Sequence, residues 1–499
     1  MKKALFLLLL FCYSSSSSNA QTGYDVPNLV NFDDAMINLL SDYDVPGGQL
    51  AITYHGRLVY SRGFGYADIE ANTMVCPDNI FRLASVSKQI TSITLMHLYE
   101  QGRVGLNDTV FGANGLLNSI AFQSAIDPRV YDITVRNLLQ HAGGWDRDVS
   151  GDPMFDSYYI AQAMSVAAPA NEMTTMEYVL NNQMLDFTPG TQFHYSNFGF
   201  VILGRVIEEI TGQEYETYVR DSILAPLNIV DMYCGKNLLV NKLPNEVNYY
   251  DYSSASYVSS VYDNPLMVPE PYGGFNIEGL DAAGGWVGSA EDLCKILCAV
   301  DRFTSRPDML LPATIDTMIS PSFVSDYYAL GWAVSPFHSN YYHMGSLPGT
   351  TTEIVRANNQ LNWAILLNTR PLYPDNLIND VDALVWNVLP TLGLFPFWDL
   401  FDSASYCMPT MVASMSESRP VLEVFPNPSN GNMTVRYNGK LLAKRNLQIY
   451  NAIGELVYSD KFITGQSELK IEQLNFQSGY YMLKVQDDSN LIVQKIIIQ

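Results

Sequence analysis

Positive charge is scarce in this chain of 499 residues. It has 28 lysines and arginines against 51 aspartates and glutamates, and charged residues make up only 16% of it. The basic residues form no long cluster, and an acidic surface repels phosphate backbones, so we expect no nucleic-acid partner. In contrast, 47% of the residues are hydrophobic. That content is sufficient for a large core and excludes disorder over most of the chain.

Long apolar runs are also missing. The run from Ala4 to Cys12 spans about nine residues, which is too short to cross a bilayer, so we expect no transmembrane segment. It follows two lysines and leads to Ser18-Asn19-Ala20-Gln21, a small-x-small cleavage site. This arrangement predicts a signal peptide over residues 1–20 and therefore an exported protein.

Cysteine is sparse and its spacing is irregular. An odd set of five remains after the predicted cleavage, which indicates neither a disulfide framework nor a metal cluster. Cys294 and Cys298 lie four residues apart in a predicted helix, where we interpret them as small buried apolar side chains. We expect no cofactor and no metal. The five cysteines are Cys76, Cys234, Cys294, Cys298 and Cys407.

The composition changes near residue 406. Residues 406–420 have no clear period and are rich in Met, Ser and Pro, which predicts a linker. Residues 421–499 contain short alternating runs separated by turn signals, which predicts a small β-sandwich. This part carries eight basic and seven acidic residues, whereas the rest carries 20 and 44. We therefore predict two independently built domains, the first over residues 21–405.

The first domain mixes helices and strands. Apolar periodicity and turn residues predict a hairpin, three helices and a buried strand. A segment with five tyrosines among small residues is predicted to be a surface loop. The hairpin is Gly48–Thr53 with Leu58–Tyr60, the helices are Ser85–Gln101, Thr134–Gln140 and Asn197–Ile210, the strand is Trp363–Leu367, and the loop is Asn248–Asp263.

A serine and a lysine at the start of the first predicted helix suggest nucleophilic chemistry. Ser85 and Lys88 are three residues apart, which places both side chains on one helix face. A serine hydroxyl becomes nucleophilic when a neighbouring base takes its proton, and a buried lysine can be that base. Ser87 would face elsewhere. The pattern alone is weak, because S-x-x-K also occurs at Ser467–Lys470 in the predicted β-sandwich.

The order of further motifs strengthens this reading. Ser85-Val86-Ser87-Lys88 is followed by His141-Ala142-Gly143-Gly144, Tyr195-Ser196-Asn197, Gly284-Gly285-Trp286 and His343-Met344-Gly345-Ser346. Together these segments resemble the serine β-lactamases of class C and the related penicillin-binding-protein-like hydrolases, over about residues 25–400. The resemblance implies an α+β fold, with an antiparallel sheet flanked by helices and a helical subdomain.

The resemblance also implies roles for the site residues. Ser85 would form the acyl-enzyme, and Lys88 and Tyr195 would share proton transfer, with Tyr195 as the general base if nearby cations depress its pKa. Asn197 would bind Lys88 and the substrate. The backbone N–H groups of Ser85 and Ser346 would form the oxyanion hole.

His343 departs from the family pattern, which usually has lysine at this position of the third motif. The resemblance places His343 on the pocket wall opposite the nucleophile, and a purely structural hydrogen-bonding role is the alternative. Histidine is only partly charged near neutral pH, so it attracts a substrate carboxylate weakly. This favours esterase-like or amidase-like activity over penicillin hydrolysis. Arg370 could still bind a carboxylate, although a structural or solvated arginine is the plainer interpretation.

The C-terminal part resembles the sorting domain of type IX secretion. The resemblance rests on Val424-Phe425-Pro426-Asn427-Pro428, on Ile449–Gly454 and on the final strand, behind a signal peptide. It implies passage through the periplasm to the cell surface or the medium, with the type IX machinery as a partner. A β-sandwich that stays attached and binds carbohydrate or protein is the alternative.

Two hypotheses for function follow from the sequence. The first is a secreted serine hydrolase that acts by acyl transfer on a small-molecule or peptide ester or amide. The second is a catalytically silent surface protein that keeps the fold for binding. All the polar members of the motif set are present, so only the histidine at position 343 favours silence.

Overall fold

The computed structural model describes two parts of the chain. In the first part it describes residues 21–252, 255–336 and 339–402. In the second it describes 422–498, with gaps at 428, 431, 438–444, 452–454, 464–465, 467, 473–475 and 487–490. The predicted signal peptide at 1–20 and the predicted linker at 406–420 lie outside the described residues.

The first part is an α+β structure, as predicted. Its helices are α1 Val30–Asp42, α2 Ser87–Glu100, α3 Val135–Leu139, α4 Ser157–Met164, α5 Glu172–Asn182, α6 Asn197–Thr211, α7 Tyr215–Val219, α8 Ala290–Cys298, α9 Pro312–Met318 and α10 Pro374–Val388. Its strands are β1 Gln21–Gly23, β2 Gly47–Tyr54, β3 Arg57–Asp68, β4 Thr73–Met74, β5 Phe81–Arg82, β6 Tyr233–Cys234, β7 Tyr250–Asp251, β8 Val258–Ser259, β9 Met267–Val268, β10 Trp286–Gly288, β11 Ala333–Val334, β12 Tyr341–Leu347, β13 Thr350–Arg356, β14 Leu361–Leu367 and β15 Thr369–Arg370.

An eight-stranded antiparallel sheet is the largest sheet that the structure describes in the first part. Its strand order is β1-β3-β2-β14-β13-β12-β11, with β4 paired to β3. Strand β14 is buried along its whole length, and its side chains alternate between two helical layers. Trp363 packs against Trp386 of α10 with ring centroids 4.9 Å apart, whereas Asn362 donates to the Cys298 sulfur of α8. The sheet is therefore covered on both faces.

A helical region packs beside one end of the sheet. Helix α2 contacts α6, and α6 contacts α3, α5 and α7. Helix α6 ends where Gly212 adopts a φ of +71°. The capping box between Thr134 and Asn137 begins α3.

The predicted elements of the first part are present, with two differences. Helix α2 begins at Ser87, because residues Ala84–Val86 form a separate 3-10 turn in which Ala84 has a φ of +48°. The segment Asn248–Asp263 is not a plain loop, since it contains β7 and β8. Strand β7 pairs in parallel with β15.

The second part consists of antiparallel strands with a shared core, as the alternating runs predicted. One sheet has the order β16-β17-β20 and the other β19-β18-β21-β22. Val435, Leu447, Leu483 and Ile496 are among the side chains of both sheets that are buried together. The strands are β16 Leu422–Phe425, β17 Met433–Tyr437, β18 Arg445–Tyr450, β19 Leu456–Phe462, β20 Glu468–Ile471, β21 Gly479–Gln486 and β22 Leu491–Ile498.

The structure confirms only part of what the sequence predicted about the cysteines. Cys294 and Cys298 are free and buried, which confirms their interpretation as small core residues. Cys76 is disulfide-bonded, which the irregular spacing did not predict. Within the described ranges, no helix combines the length and the apolar character that a membrane crossing requires.

Candidate active site

Three elements converge at one cavity. Ser85 lies in the 3-10 turn before α2, Asn197 is the first residue of α6, and Ser346 lies near the end of β12. All three side chains line a cavity of about 320 Å³. The three motifs that contain Ser85, Asn197 and Ser346 therefore contribute to the same surface.

Lys88 is the centre of the hydrogen bonding at this cavity. Its Nζ lies 3.3 Å from Ser85 Oγ, 2.7 Å from Asn197 Oδ1 and 2.6 Å from the carbonyl oxygen of Ala283. The side chain is fully buried. Burial lowers the pKa of Lys88 well below its usual value, Asp152 opposes this shift, and the positive charge of Arg147 adds to it.

The amide of Asn197 connects Lys88 to a carboxylate. Its oxygen accepts from Lys88, and its Nδ2 donates to Asp152 Oδ2 at 2.7 Å. Burial raises the pKa of Asp152, and the hydrogen bond from Asn197 opposes that shift. Asp152 also accepts from the backbone of Met154 and so begins a 3-10 turn. The carboxylate thus fixes which way the Asn197 amide points.

The ring of Tyr195 lies among a lysine, an arginine and a histidine. Its centroid is 4.8 Å from Lys88 Nζ, 5.1 Å from Arg147 Cζ and 4.2 Å from the centroid of the His141 ring. Burial nevertheless raises the pKa of the Tyr195 hydroxyl above its usual value, since the opposing effects of Ser85 and Arg147 are smaller. The expected depression of this pKa is not observed, and the phenol keeps its proton at neutral pH.

Close backbone approach positions the third motif. A Cβ on Gly345 would lie 2.5 Å from the carbonyl oxygen of Leu83 and would also clash with the Thr352 hydroxyl. The Thr352 hydroxyl donates to the same Leu83 oxygen at 2.8 Å. Strands β12 and β13 can therefore press against the turn that carries Ser85 only because residue 345 is glycine. This contact sets the separation of Ser85 and Ser346.

Ser87 has a structural environment. Its side chain is fully buried, and its Oγ accepts a hydrogen bond from the backbone N–H of Trp286 at 3.1 Å. Ser85, in contrast, is half-buried and lines the cavity. Of the two serines in the motif, Ser85 is the one that lines the cavity.

His343 lies behind the cavity wall. It is buried and is not among the described residues that line the cavity, in contrast to the expectation that it would face the nucleophile. Its Nδ1 donates to the Met344 carbonyl oxygen at 2.7 Å, and its Nε2 is 3.0 Å from the Tyr328 hydroxyl. Burial and the nearby Lys88 lower the pKa of His343 to about 3, so it is neutral at physiological pH.

The cavity also has residues that the sequence did not single out. Arg147, Phe155 and Glu270 line it, and Arg370 lies 3.5 Å from Glu270. A signal for Arg147 existed, because it is the one basic residue between Arg136 and Arg205. The full lining consists of Ser85, Arg147, Phe155, Tyr195, Asn197, Glu270, Leu280, Gly284, Ser346, Leu347, Pro348 and Arg370.

The family of the chain follows from comparison of its sequence with family models. The model described as Beta-lactamase matches residues 32–385, which include every motif of the cavity. The chain belongs to the beta-lactamase family. A second model, described as a secretion system C-terminal sorting domain, matches residues 423–499. The sorting domain is of the type IX kind and indicates a secreted or cell-surface protein.

Curated relatives of the beta-lactamase-family chain are distant. Protein flp of Staphylococcus aureus (strain NCTC 8325 / PS 47) is 23% identical over 366 residues, which cover 72% of this chain and 68% of that protein. A probable fimbrial assembly protein FimD, serogroup H1, of Dichelobacter nodosus is 25% identical over 329 residues, covering 64% and 74%.

Solved structures share the fold at low sequence identity. The octameric penicillin-binding protein homologue from Pyrococcus abyssi is 20% identical, with a TM-score of 0.53 and coverage of 94% of this chain and 96% of that one. The D-amino acid amidase from Ochrobactrum anthropi SV3 is 22% identical, with a TM-score of 0.54 and coverage of 72% and 99%. EstCE1, a hydrolase with promiscuous acyltransferase activity, is 20% identical, with a TM-score of 0.55 and coverage of 72% and 98%.

Proposed function

We propose that this protein is a secreted serine hydrolase that forms an acyl-enzyme through Ser85 on an ester or an amide. The observation that carries the proposal is the contact between the buried Lys88 Nζ and Ser85 Oγ at 3.3 Å. The amidase and the esterase-like hydrolase among the structural neighbours support the reaction class but not a particular substrate.

The hydrogen bonds of Lys88 suit a neutral amine. A neutral –NH₂ group has two donors and one lone pair. The Asn197 and Ala283 oxygens are acceptors only, and they take the two shorter bonds of 2.7 and 2.6 Å. The lone pair then points to Ser85, whose hydroxyl can donate. Burial favours the neutral form, so Lys88 is the general base in this proposal.

The proposed reaction has two acyl-transfer steps. Ser85 Oγ bonds to the carbonyl carbon while its proton passes to Lys88 Nζ, and the backbone N–H groups of Ser85 and Ser346 stabilise the oxyanion. The bond to the leaving group then breaks, and that group takes the proton from Lys88 through the Tyr195 hydroxyl. Water next attacks the acyl carbon, loses a proton to the same base, and releases the acid and Ser85.

The third motif offers no charged histidine to the carboxylate of a penicillin. The buried, neutral His343 supplies no positive charge to the wall beside Ser346. A lysine there would help to attract the carboxylate of a penicillin. We therefore expect 4-nitrophenyl acetate to be preferred over benzylpenicillin when kcat/KM is compared for the two substrates.

Covalent trapping tests the proposal. A fluorophosphonate probe should add one adduct to the wild-type protein by intact mass, and Ser85→Ala should abolish both the adduct and the hydrolysis of 4-nitrophenyl acetate. The rate of labelling should rise with pH as Lys88 loses its proton. Ser87→Ala is the matched control and should keep the adduct.

Two results would count against the proposal. A protein that takes no adduct and hydrolyses neither ester nor penicillin is the catalytically silent binding protein. An adduct that survives Ser85→Ala but not Ser87→Ala would show that Ser87, and not Ser85, is the nucleophile. Peptide mapping of the labelled protein distinguishes the two serines directly.

A further inference from the structure

Arg147 differs from every other arginine that the structure describes between residues 21 and 402. The other twelve each donate a hydrogen bond or form an ion pair within the protein. Within the described part of the chain, the guanidinium of Arg147 makes neither. Five donors on a permanent cation are therefore left for another partner.

The loop that carries Arg147 is held at both sides. Asp146 Oδ2 contacts His194 Nδ1 at 2.8 Å, and the Asp146 N–H donates to Asp186 at 2.8 Å. Asp152 binds Asn197 at 2.7 Å. Asp152 also attracts Arg147 electrostatically, but within the described part of the chain no carboxylate forms a hydrogen bond or an ion pair with its guanidinium. Its guanidinium is presented to the cavity from an anchored loop rather than from a free one.

Arg147 lies where a substrate bound at Ser85 would meet it. It lines the same cavity as Ser85 and Asn197, and its Cζ stacks 5.1 Å from the centroid of the Tyr195 ring. The aromatic face restricts the side chain and leaves the edges of the planar guanidinium available. That edge can take both oxygens of a carboxylate.

The other cation of the cavity is already neutralised. Arg370 lies 3.5 Å from Glu270, and both side chains are half-buried. His343, on the same side, is neutral and behind the wall. Of the described residues that line the cavity, only Arg147 is a cation without a carboxylate partner.

We propose that Arg147 binds an anionic group of the substrate, and that this site acts on esters or amides that carry a carboxylate on the side of the cavity formed by Tyr195 and Arg147. The inference rests on the proposed hydrolase function and adds the substrate class to it. Residues 1–420 are strongly acidic, with 44 acidic residues against 20 basic ones, and give no general attraction for such anions. The selectivity must therefore come from this one contact.

Matched ester pairs test the proposal at constant ionic strength. The first pair is mono-4-nitrophenyl succinate and its methyl ester, which vary the acyl part. The second pair is 4-acetoxybenzoate and its methyl ester, which vary the leaving group. For wild type, kcat/KM should be at least about tenfold higher for the anionic member of one pair. Arg147→Ala should abolish that preference, and Arg147→Lys should keep part of it.

Two variants serve as comparisons. Arg103→Ala removes the same charge away from the cavity, where Arg103 donates to the Ile210 carbonyl oxygen, and should leave the preference intact. Arg370→Ala tests whether Arg370 binds the anionic group instead, and this variant should also keep the preference. Loss of the preference in Arg370→Ala but not in Arg147→Ala would assign the anion to Arg370 and overturn the proposal.

A binding measurement separates this inference from the hydrolase function. In Ser85→Ala, which cannot form the acyl-enzyme, calorimetry should show tighter binding of the anionic ester than of its methyl ester, and adding Arg147→Ala should remove the difference. Equal binding of the two esters in Ser85→Ala would overturn the anion site even if wild type is an active esterase. If the two esters bind unequally to Ser85→Ala but the wild-type protein has no esterase activity, the anion site is supported and the proposed hydrolase function is contradicted.

Discussion

The Tyr328 hydroxyl lies 3.0 Å from His343 Nε2 and also 3.0 Å from His141 Nε2. Because His343 Nδ1 donates to a carbonyl oxygen, its Nε2 accepts from Tyr328. His141 Nδ1 accepts from the backbone N–H of Ser196, so its Nε2 carries a proton and donates to the Tyr328 oxygen. These hydrogen-bond partners fix the position of every proton in a buried series of three side chains, His343, Tyr328 and His141, and His141 packs against the Tyr195 ring.

Removing the Tyr328 hydroxyl should destabilise the protein, because it breaks both hydrogen bonds of this series. Tyr328→Phe leaves two buried imidazole nitrogens without a partner, which costs about 1–3 kcal/mol for each unsatisfied group. We expect a lower free energy of unfolding in urea and a drop of about tenfold in kcat/KM, since His141 supports Tyr195. Tyr342→Phe, on the half-buried neighbouring position of β12, is the control. Equal stability of the two variants would contradict the assigned series.

Acid should destabilise the protein through the same histidines. The pKa of His343 is about 3 in the folded protein and near its ordinary value of 6.5 when unfolded. Between these values the unfolded state binds more protons, so stability falls as pH falls from 6.5 towards 3. His343→Gln cannot protonate and should flatten this part of the pH–stability curve. An unchanged slope in the variant would assign the acid sensitivity to other groups.

Local patterns predicted the framework of the site well. The spacing of Ser85 and Lys88, the start of α6 at Asn197 and the buried strand β14 all follow from periodicity and capping, which act over a few residues. Ser346 reaches the same cavity, although its role remains a prediction. These agreements arise because each motif lies next to a helix end or on a strand whose period fixes its direction.

Tertiary contacts decided what the sequence could not. His343 could face the cavity or the interior, and only its partner Tyr328, 15 residues earlier, shows that it faces inward. The pKa of Tyr195 depends on burial, which outweighs the effect of nearby cations on which its role as general base was conditional. Arg147 and Glu270 come from connecting segments, whose paths are not encoded in a repeating pattern.

Glu353 should make stability fall as pH rises. It is fully buried on β13, its pKa is about 8 because of burial and the neighbouring Asp382, and Trp363 Nε1 donates to it at 3.1 Å. Between about 4.5 and 8 the folded state binds the proton that the unfolded state has lost. Stability should therefore decrease by on the order of 3 kcal/mol from pH 5 to 8. Glu353→Gln should remove this decrease when unfolding is measured at both pH values.

The variant Gly345→Ala should move the third motif on β12 away from the turn that carries Ser85. Its Cβ would meet the Leu83 carbonyl oxygen at 2.5 Å, which forces β12 away from the turn that carries Ser85. Because displacement by about 1 Å can cost about a hundredfold in rate, we expect Gly345→Ala to lower kcat by that order. Gly393→Ala is the control, since its Cβ would meet no atom within 4 Å. Full ester hydrolysis by Gly345→Ala would show that the close approach is not needed.

Deleting residues 421–499 should leave the hydrolase part folded and active. Among the described residues, the core of the first part extends no further than Phe401, and the core of the sorting domain begins at Leu422. Each part therefore buries its own apolar surface, which is the main source of its stability. Expressed in the periplasm of another bacterium, the truncated protein should keep its Tm and its rate on 4-nitrophenyl acetate. In its own host it should accumulate in the periplasm, because the sorting domain is missing. Normal release of the truncated protein would contradict a sorting role, and loss of folding would show that the two parts are not independent.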